Sequence, residues 1–285
     1  SVVTRIAGSQ GKGNEDVLAT ESALNFPYSV AVVEDASGVV TAILIADTSN
    51  DRIRKLDVSN GKIKTIAGGG DQTGDGVAAT IAQVLTPYHV YYEKTSRDIF
   101  ITSFSGNSIK RVFSIDGTIS TVAGKCAVSG ELGDEGPAAN ACLKEPRFFT
   151  MNSAGEWFIA DGLNNRIRKV DKRRNIHTLV GGGDLEGDGF VKEVKLSGPV
   201  SLSFAPSGEM HPPSHIRTTV FSCVTTRATF ISYLSSVLVC LASVMLFALV
   251  TVLASQLMNV SAMMVVNGWE STAPLLIASV SHPIS

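Results

Sequence analysis

"TIAGGGDQTGDGVAATIAQVLTPYHV", Thr65 to Val90, places five glycines and two aspartates in its first twelve residues, then turns strand-like after Pro87. So loose a stretch inside a folded chain needs a structural reason, and its copies supply one. "TRIAGSQ" begins at Thr4, "TVAGKC" at Thr121 and "TLVGGG" at Thr178, so the steps are 61, 56 and 57 residues. Downstream, "GDGVAA" (74–79), "GDEGPAA" (133–139) and "GDGFVKE" (187–193) correspond. Pro27, Pro87, Pro146 and Pro199 each open an apolar stretch. "IADTSNDRIRKLD" (45–57), "ITSFSGNSIKRVF" (101–113) and "IADGLNNRIRKVD" (159–171) complete the unit.

Each unit reads as four short strands. In the second they are expected over 88–93, 98–102, 108–113 and 118–123, with "SGN" and "DG" turns between them. β-Branched and aromatic residues favour strand, and no unit holds a long helical period. A four-stranded meander of this size cannot bury both faces alone and must stack on copies of itself. Radial stacking of such sheets gives a β-propeller. The expected fold is therefore all-β, with repeat units near 4–64, 65–120, 121–177 and 178–209, the last one partial. The glycine-rich stretch becomes the crossing from the outermost strand of one blade to the innermost strand of the next. Glycine permits positive φ there, and "AATIAQV" (78–84) reads as a short turn of helix.

The pattern "TIAGGG…GDG…AA…L..P..V" followed by "IAD..NNRIRKVD" resembles the NHL repeat from Ser1 to about Glu209. Its long glycine-rich crossing is similar to that of propellers in teneurin-like, protist and bacterial NHL-repeat proteins. The resemblance implies a propeller that serves as a binding platform, commonly of six blades. Some NHL proteins bind RNA or protein partners, and a related lyase and lactonase group is enzymatic. This chain departs from the pattern after "SGEM", where "HPPSHIRTTVFSC" replaces the expected "YIAD..NNRIRKV". Three complete blades are expected, with a lone outer strand near 2–7 and a lone inner strand near 200–204. Such a ring is incomplete or open, as in a fragment or a chain with a foreign tail, and self-association is one route to closure.

Beyond the repeat the composition changes. From Met210 to Ser285 the only charged residues are Arg217, Arg227 and Glu270. Removing them from totals of 24 basic and 26 acidic leaves 22 and 25 in residues 1–209, a net of −3. No global positive excess points to a nucleic-acid partner. After a linker over 210–228, the uncharged apolar run from Phe230 to Ala254 is long enough to cross a bilayer of ~30 Å. The expectation is one transmembrane helix within 229–255, a short hydrophobic tail over 256–285 and a single-pass membrane protein. Arg217 and Arg227 precede the span and no Lys or Arg follows it, so the positive-inside rule would put the propeller in the cytosol. NHL propellers on membrane proteins can equally face outward. Cys126, Cys142, Cys223 and Cys240 lack CxxC spacing, so zinc is not expected. Cys126 and Cys142 can pair across one loop, with free thiols the expected state.

Two groups carry candidate chemistry. Asp184, Glu186 and Asp188 in "DLEGDG" resemble the start of a calcium loop, where a hard cation wants oxygens at alternate positions. Lys195 stands where the bidentate Glu belongs, so solvated turn acids are preferred and calcium is the weaker reading. Arg52, Arg54, Lys110, Arg166 and Arg168 fall at matching repeat positions and, stacked radially, would make a charged binding stripe. Structural pairing with carboxylates is the commoner use of such residues. Asp47 and Asp161 read as turn-fixing acids, with Ser103 at that place in the second unit. His89 reads as structural. The favoured function is a non-enzymatic, cofactor-free scaffold that binds a protein or other macromolecule through blade faces and crossing loops. A metal-dependent lactonase- or lyase-like enzyme and an RNA-binding propeller are the alternatives.

Overall fold

A computed structural model describes residues 4–9, 15–126, 132–185 and 193–202. Its strands form three antiparallel sheets. The first contains β1 (Val17–Leu18), β2 (Pro27–Glu34), β3 (Val40–Asp47), β4 (Arg52–Asp57) and β5 (Lys62–Gly68) in the order β1-β5-β4-β3-β2. The second repeats this plan with β6 (Val77–Ala78), β7 (Pro87–Tyr92), β8 (Ile99–Ser103), β9 (Ser108–Val112) and β10 (Thr118–Ala123). The third holds β11 (Pro146–Met151), β12 (Trp157–Asp161), β13 (Arg166–Val170) and β14 (Ile176–Gly181) in sequential order. The four-strand units thus form as the sequence predicts, within about a residue at each end in the second unit.

The crossing is better ordered than its composition suggests. It lays a two-residue strand against the outer edge of the next blade, pairing Val17 with Ile63 and Val77 with Ile119. In the third blade a single bridge, Pro137 to Asn175, stands in the same place. Covering this outer edge removes a row of open backbone groups. A 3-10 turn then follows at Ala79–Ile81 and at Ala138–Asn140, where the sequence calls for a turn of helix. Gly70 is required by contact, because a Cβ there would collide with the carbonyl of Ile81.

Each blade is buried on both faces, which explains why the second strands read as continuous apolar runs. Leu44, Ala46 and Ile53 of the first blade meet Val90, Ile101, Val112 and Ile119 of the second. Phe100 of the second stacks on Phe149 of the third at 4.7 Å between ring centroids, with Trp157 edge-on to Phe100 at 5.5 Å. Blade-to-blade packing makes two of the core clusters, while the far faces of the first and third blades pack on residues around Ala7, Ala19 and Leu202.

Three expectations are corrected or left aside. Residues 4–7 and 200–202 carry no strand, although Ala7 and Leu202 are buried against neighbouring sheets. Cys126 and Cys142 are not free thiols but a disulfide, with Cα atoms 4.5 Å apart, which staples the crossing between the second and third blades. The Phe230 to Ala254 span lies outside the described residues. Among those described, no helix is long and apolar enough to cross a membrane.

Candidate functional site

The polar residues of the repeat gather in a knot where the second-to-third strand turn meets the crossing from the preceding blade. In the third blade Asp161 accepts hydrogen bonds from the Lys144 amide at 2.8 Å, Asn164 Nδ2 at 2.8 Å and Arg168 Nη1 at 3.2 Å. Arg168 also donates to the Leu132 carbonyl at 3.0 Å and to Asp134 at 2.7 Å, while Asp134 accepts from the Thr178 hydroxyl. The first blade repeats the plan: Asp47 accepts from the Asn25 amide and Asn50, and Glu15 from the amide and hydroxyl of Thr65. Arg54 lies 3.6 Å from Glu15 and donates to Ser22. In the second blade Asp75 accepts from the Thr121 amide and pairs with Lys125, while Lys110 donates to the Thr121 hydroxyl at 3.2 Å.

Burial sets the electrostatics. It raises Asp47 and Asp161 above the ordinary carboxylate range, against amide donors and an arginine that pull the other way. Burial also lowers Arg54, with Glu15 and Asp47 opposing. The crossing acids Glu15, Asp75 and Asp134 move oppositely. Burial raises each, but hydrogen bonds from threonine and the nearby cations outweigh it, so all three ionise below their usual value. Such a network resists dismantling, since an unpaired buried charge is costly.

This placement bears on two members of the expected binding stripe, Arg54 and Arg168. Both are 0% exposed and lie against the crossing acids Glu15 and Asp134. Arg52 and Arg166 lie over Gly69 and Gly182, and Lys110 is half-buried. Arg52 keeps a partly exposed side chain 3.5 Å from Glu15, so burial takes Arg54 and Arg168 out of an exposed stripe and leaves the other three at its edge. For the calcium reading, Asp184 is exposed, and Glu186 and Asp188 lie outside the described residues. Among the described residues no group of three or more His, Cys, Asp or Glu side chains is arranged to hold a metal ion. His89 packs on Phe148 of the next blade at 4.2 Å, and burial lowers its pKa to about 3, so it stays neutral.

A second feature went unread in the sequence. In every blade the first pair of strands slips register at its start: Pro27 pairs with Asp47 but Ser29 with Ala46. The same bulge falls between Pro87 and His89 and between Pro146 and Phe148. A bulge leaves one residue unpaired and re-aims its side chain. Those residues are Tyr28, Tyr88 and Arg147. Tyr28 stacks on Tyr88 at 4.0 Å, Tyr88 on Phe104 at 4.9 Å, and the Arg147 guanidinium lies 5.9 Å from the Phe104 centroid. Tyr28 remains 40% exposed, and neighbouring Phe26 is 53% exposed. Backbone bonds from Ser49 to Asn25, Phe104 to Thr86 and Leu163 to Lys144 put all these groups at one end of the blades, here called the proline face. The signal available in sequence was the residue after each proline.

Three consecutive meander blades with interleaved cores define a β-propeller-type fold. The sequence likeness is to NHL-repeat proteins, and it is weak. No family model matches the chain. It is 26% identical over 229 residues to human NHL repeat-containing protein 2, spanning 69% of this chain and 30% of that protein. It is 23% identical over 222 residues to the chloroplastic protein SUPPRESSOR OF QUENCHING 1 of Arabidopsis thaliana, spanning 73% and 21%. The chain thus covers less than a third of the length of these relatives. Among solved structures, an auxiliary nutrient binding protein from Bacteroides ovatus aligns over 70% of this chain and 50% of its own, at 15% identity and a TM-score of 0.48. A streptogramin B lyase aligns over 59% and 43%, at 17% identity and 0.37.

Proposed function

We propose that this chain is a non-enzymatic interaction scaffold of the NHL-propeller kind that takes a protein partner on its proline face. The observation that carries the reading is the repeated bulge, which turns one large side chain per blade onto that face and lines up Tyr28, Tyr88, Phe104 and Arg147. Tyr and Arg are the residue types that dominate interface hot spots, and exposed apolar surface of this kind marks binding sites. Stacked, pre-ordered rings also lose little side-chain freedom on binding. A protein partner fits better than a nucleic acid. Arg147 is offset by Glu145 at 3.9 Å, and the phosphate contacts that drive nucleic-acid affinity need a cation excess.

The test is site-specific photo-crosslinking in cells, with a photoreactive phenylalanine at position 26 or 28 of the full chain. A control position is Ile115, 91% exposed in the turn between β9 and β10. Discrete adducts from positions 26 and 28 and none from 115 support the reading. Equal adducts from all three, or none from any, sink it.

A further inference from the structure

Three blades built on one plan allow each to serve as a control for the others, and the second departs from the plan in concert. Where the first and third blades have Asp47 and Asp161, it has Ser103. Where they have Asn50 and Asn164, it has Gly106. Ser108 replaces Arg52 and Arg166, Lys110 replaces Arg54 and Arg168, and Lys125 replaces Gly69 and Gly182. All five of these positions line one cleft of about 230 Å³, together with Thr73, Gln83, Leu85, Thr121 and Gly124. By repeat position, the cleft is lined where the other blades carry the aspartate, the asparagine and the two arginines.

The charge changes with the volume. In the first and third blades one aspartate and two arginines meet one crossing acid, Glu15 or Asp134, and the set is neutral. In the second blade, among the described residues, Lys110 and Lys125 meet Asp75 alone, leaving one positive charge. Asp75 is engaged by Lys125 and the Thr121 amide. The Lys110 ammonium has one hydrogen-bond partner among the described residues, the Thr121 hydroxyl at 3.2 Å. Ser103 uses its proton on the Leu85 carbonyl at 2.8 Å, and the buried Ser108 hydroxyl makes no hydrogen bond among the described residues. Gly106 lets the Ser103 hydroxyl sit close against the turn, because a Cβ there would strike it. The Cys126–Cys142 disulfide fixes the backbone beside Lys125.

We propose that this cleft is a binding site for a small organic carboxylate, which takes the place vacated by the repeat aspartate. Its carboxylate would accept from Lys110 and Ser108, and its carbon skeleton would fill the volume left by the missing asparagine and arginine. A monoanion matches the single uncompensated charge. This site is separate from the proline-face reading and stands or falls without it.

The experiment is isothermal titration calorimetry of the full chain with sodium propionate at constant ionic strength, with sodium chloride as the control anion. Saturable binding of one propionate, not reproduced by chloride, is expected. Ser103→Asp supplies the carboxylate internally and should weaken propionate at least about tenfold, the scale of one charge-assisted hydrogen bond. Lys110→Met should abolish binding. The double variant Ser103→Asp with Lys110→Arg restores the pair found in the other two blades, so it should fold and not bind. Absence of saturation, equal binding of chloride, or undiminished binding in the double variant overturns the proposal.

Discussion

Replacing Asp161 by Asn tests the polar knot most severely. The carboxylate is 0% exposed and holds the Lys144 amide, Asn164 and Arg168 at 2.8, 2.8 and 3.2 Å. An asparagine of the same shape keeps one acceptor oxygen but turns an NH2 toward groups that are themselves donors. Arg168 then keeps Asp134 and the Leu132 carbonyl, and loses its one fully buried counter-charge. Breaking a buried pair from one side costs about 3–5 kcal/mol. Over a domain of about 200 residues, that lowers Tm by roughly 6 °C or more. In the second blade Ser103→Ala removes one neutral hydrogen bond, to Leu85, and should cost only about 1 kcal/mol. Urea unfolding monitored by circular dichroism measures both. A loss below about 1 kcal/mol for Asp161→Asn, or equal losses for the two variants, would refute the account of the knot.

The Cys126–Cys142 bridge closes a loop with a sequence separation of 16, so Cys126→Ser should lower unfolding free energy by about 3 kcal/mol, read in the same urea titration with unchanged stability as the contrary result. Phe149 is fully buried between Phe100 and Trp157, so Phe149→Ala should cost about 3–5 kcal/mol; a loss under 1 kcal/mol would mean the blades do not share this core. His177 hydrogen-bonds Glu135 at 2.9 Å, which together with Asp171 raises its pKa above the ordinary 6.5. Protonation therefore favours the folded state: the contribution is full below the unfolded value and is lost as pH rises through the folded one. Imidazole NMR titration should give a midpoint above 6.5, moved down by Glu135→Gln; an unmoved midpoint contradicts the pairing.

The blades were legible because their signals are local and recur: the "TIAGGG" stretch, the proline, the alternating strands. What escaped depends on residues far apart in the chain. Arg168 meets Asp134 across 34 residues, and no net-charge count reveals that the pair lies inside. Arg54 and Arg168 therefore read as part of a surface stripe when they are the interior of the knot. The outer strand Val77–Ala78 was missed because two residues carry no periodicity; only the edge of β10 defines it. The tyrosine row escaped for another reason. Tyr28, Tyr88 and Arg147 share a repeat position, but that a bulge aims them outward is a matter of register, which strand pattern alone does not fix. Ser103 was visible as an odd residue. Its meaning needed the four other exchanges that line the same cleft.

The central claim is that the ring row on the proline face recognises the partner. The direct measurement is the yield of the crosslinked adduct from position 26 in a chain carrying Tyr28→Ser and Tyr88→Ser. Both rings are partly exposed and lie outside the core clusters, so their loss should cost about 0.5–1.5 kcal/mol per stacked pair plus the burial of the covered part of each ring. With folding verified by circular dichroism, loss of the adduct is the predicted result. An adduct of unchanged yield would contradict the claim, and would move the binding surface elsewhere on the blades.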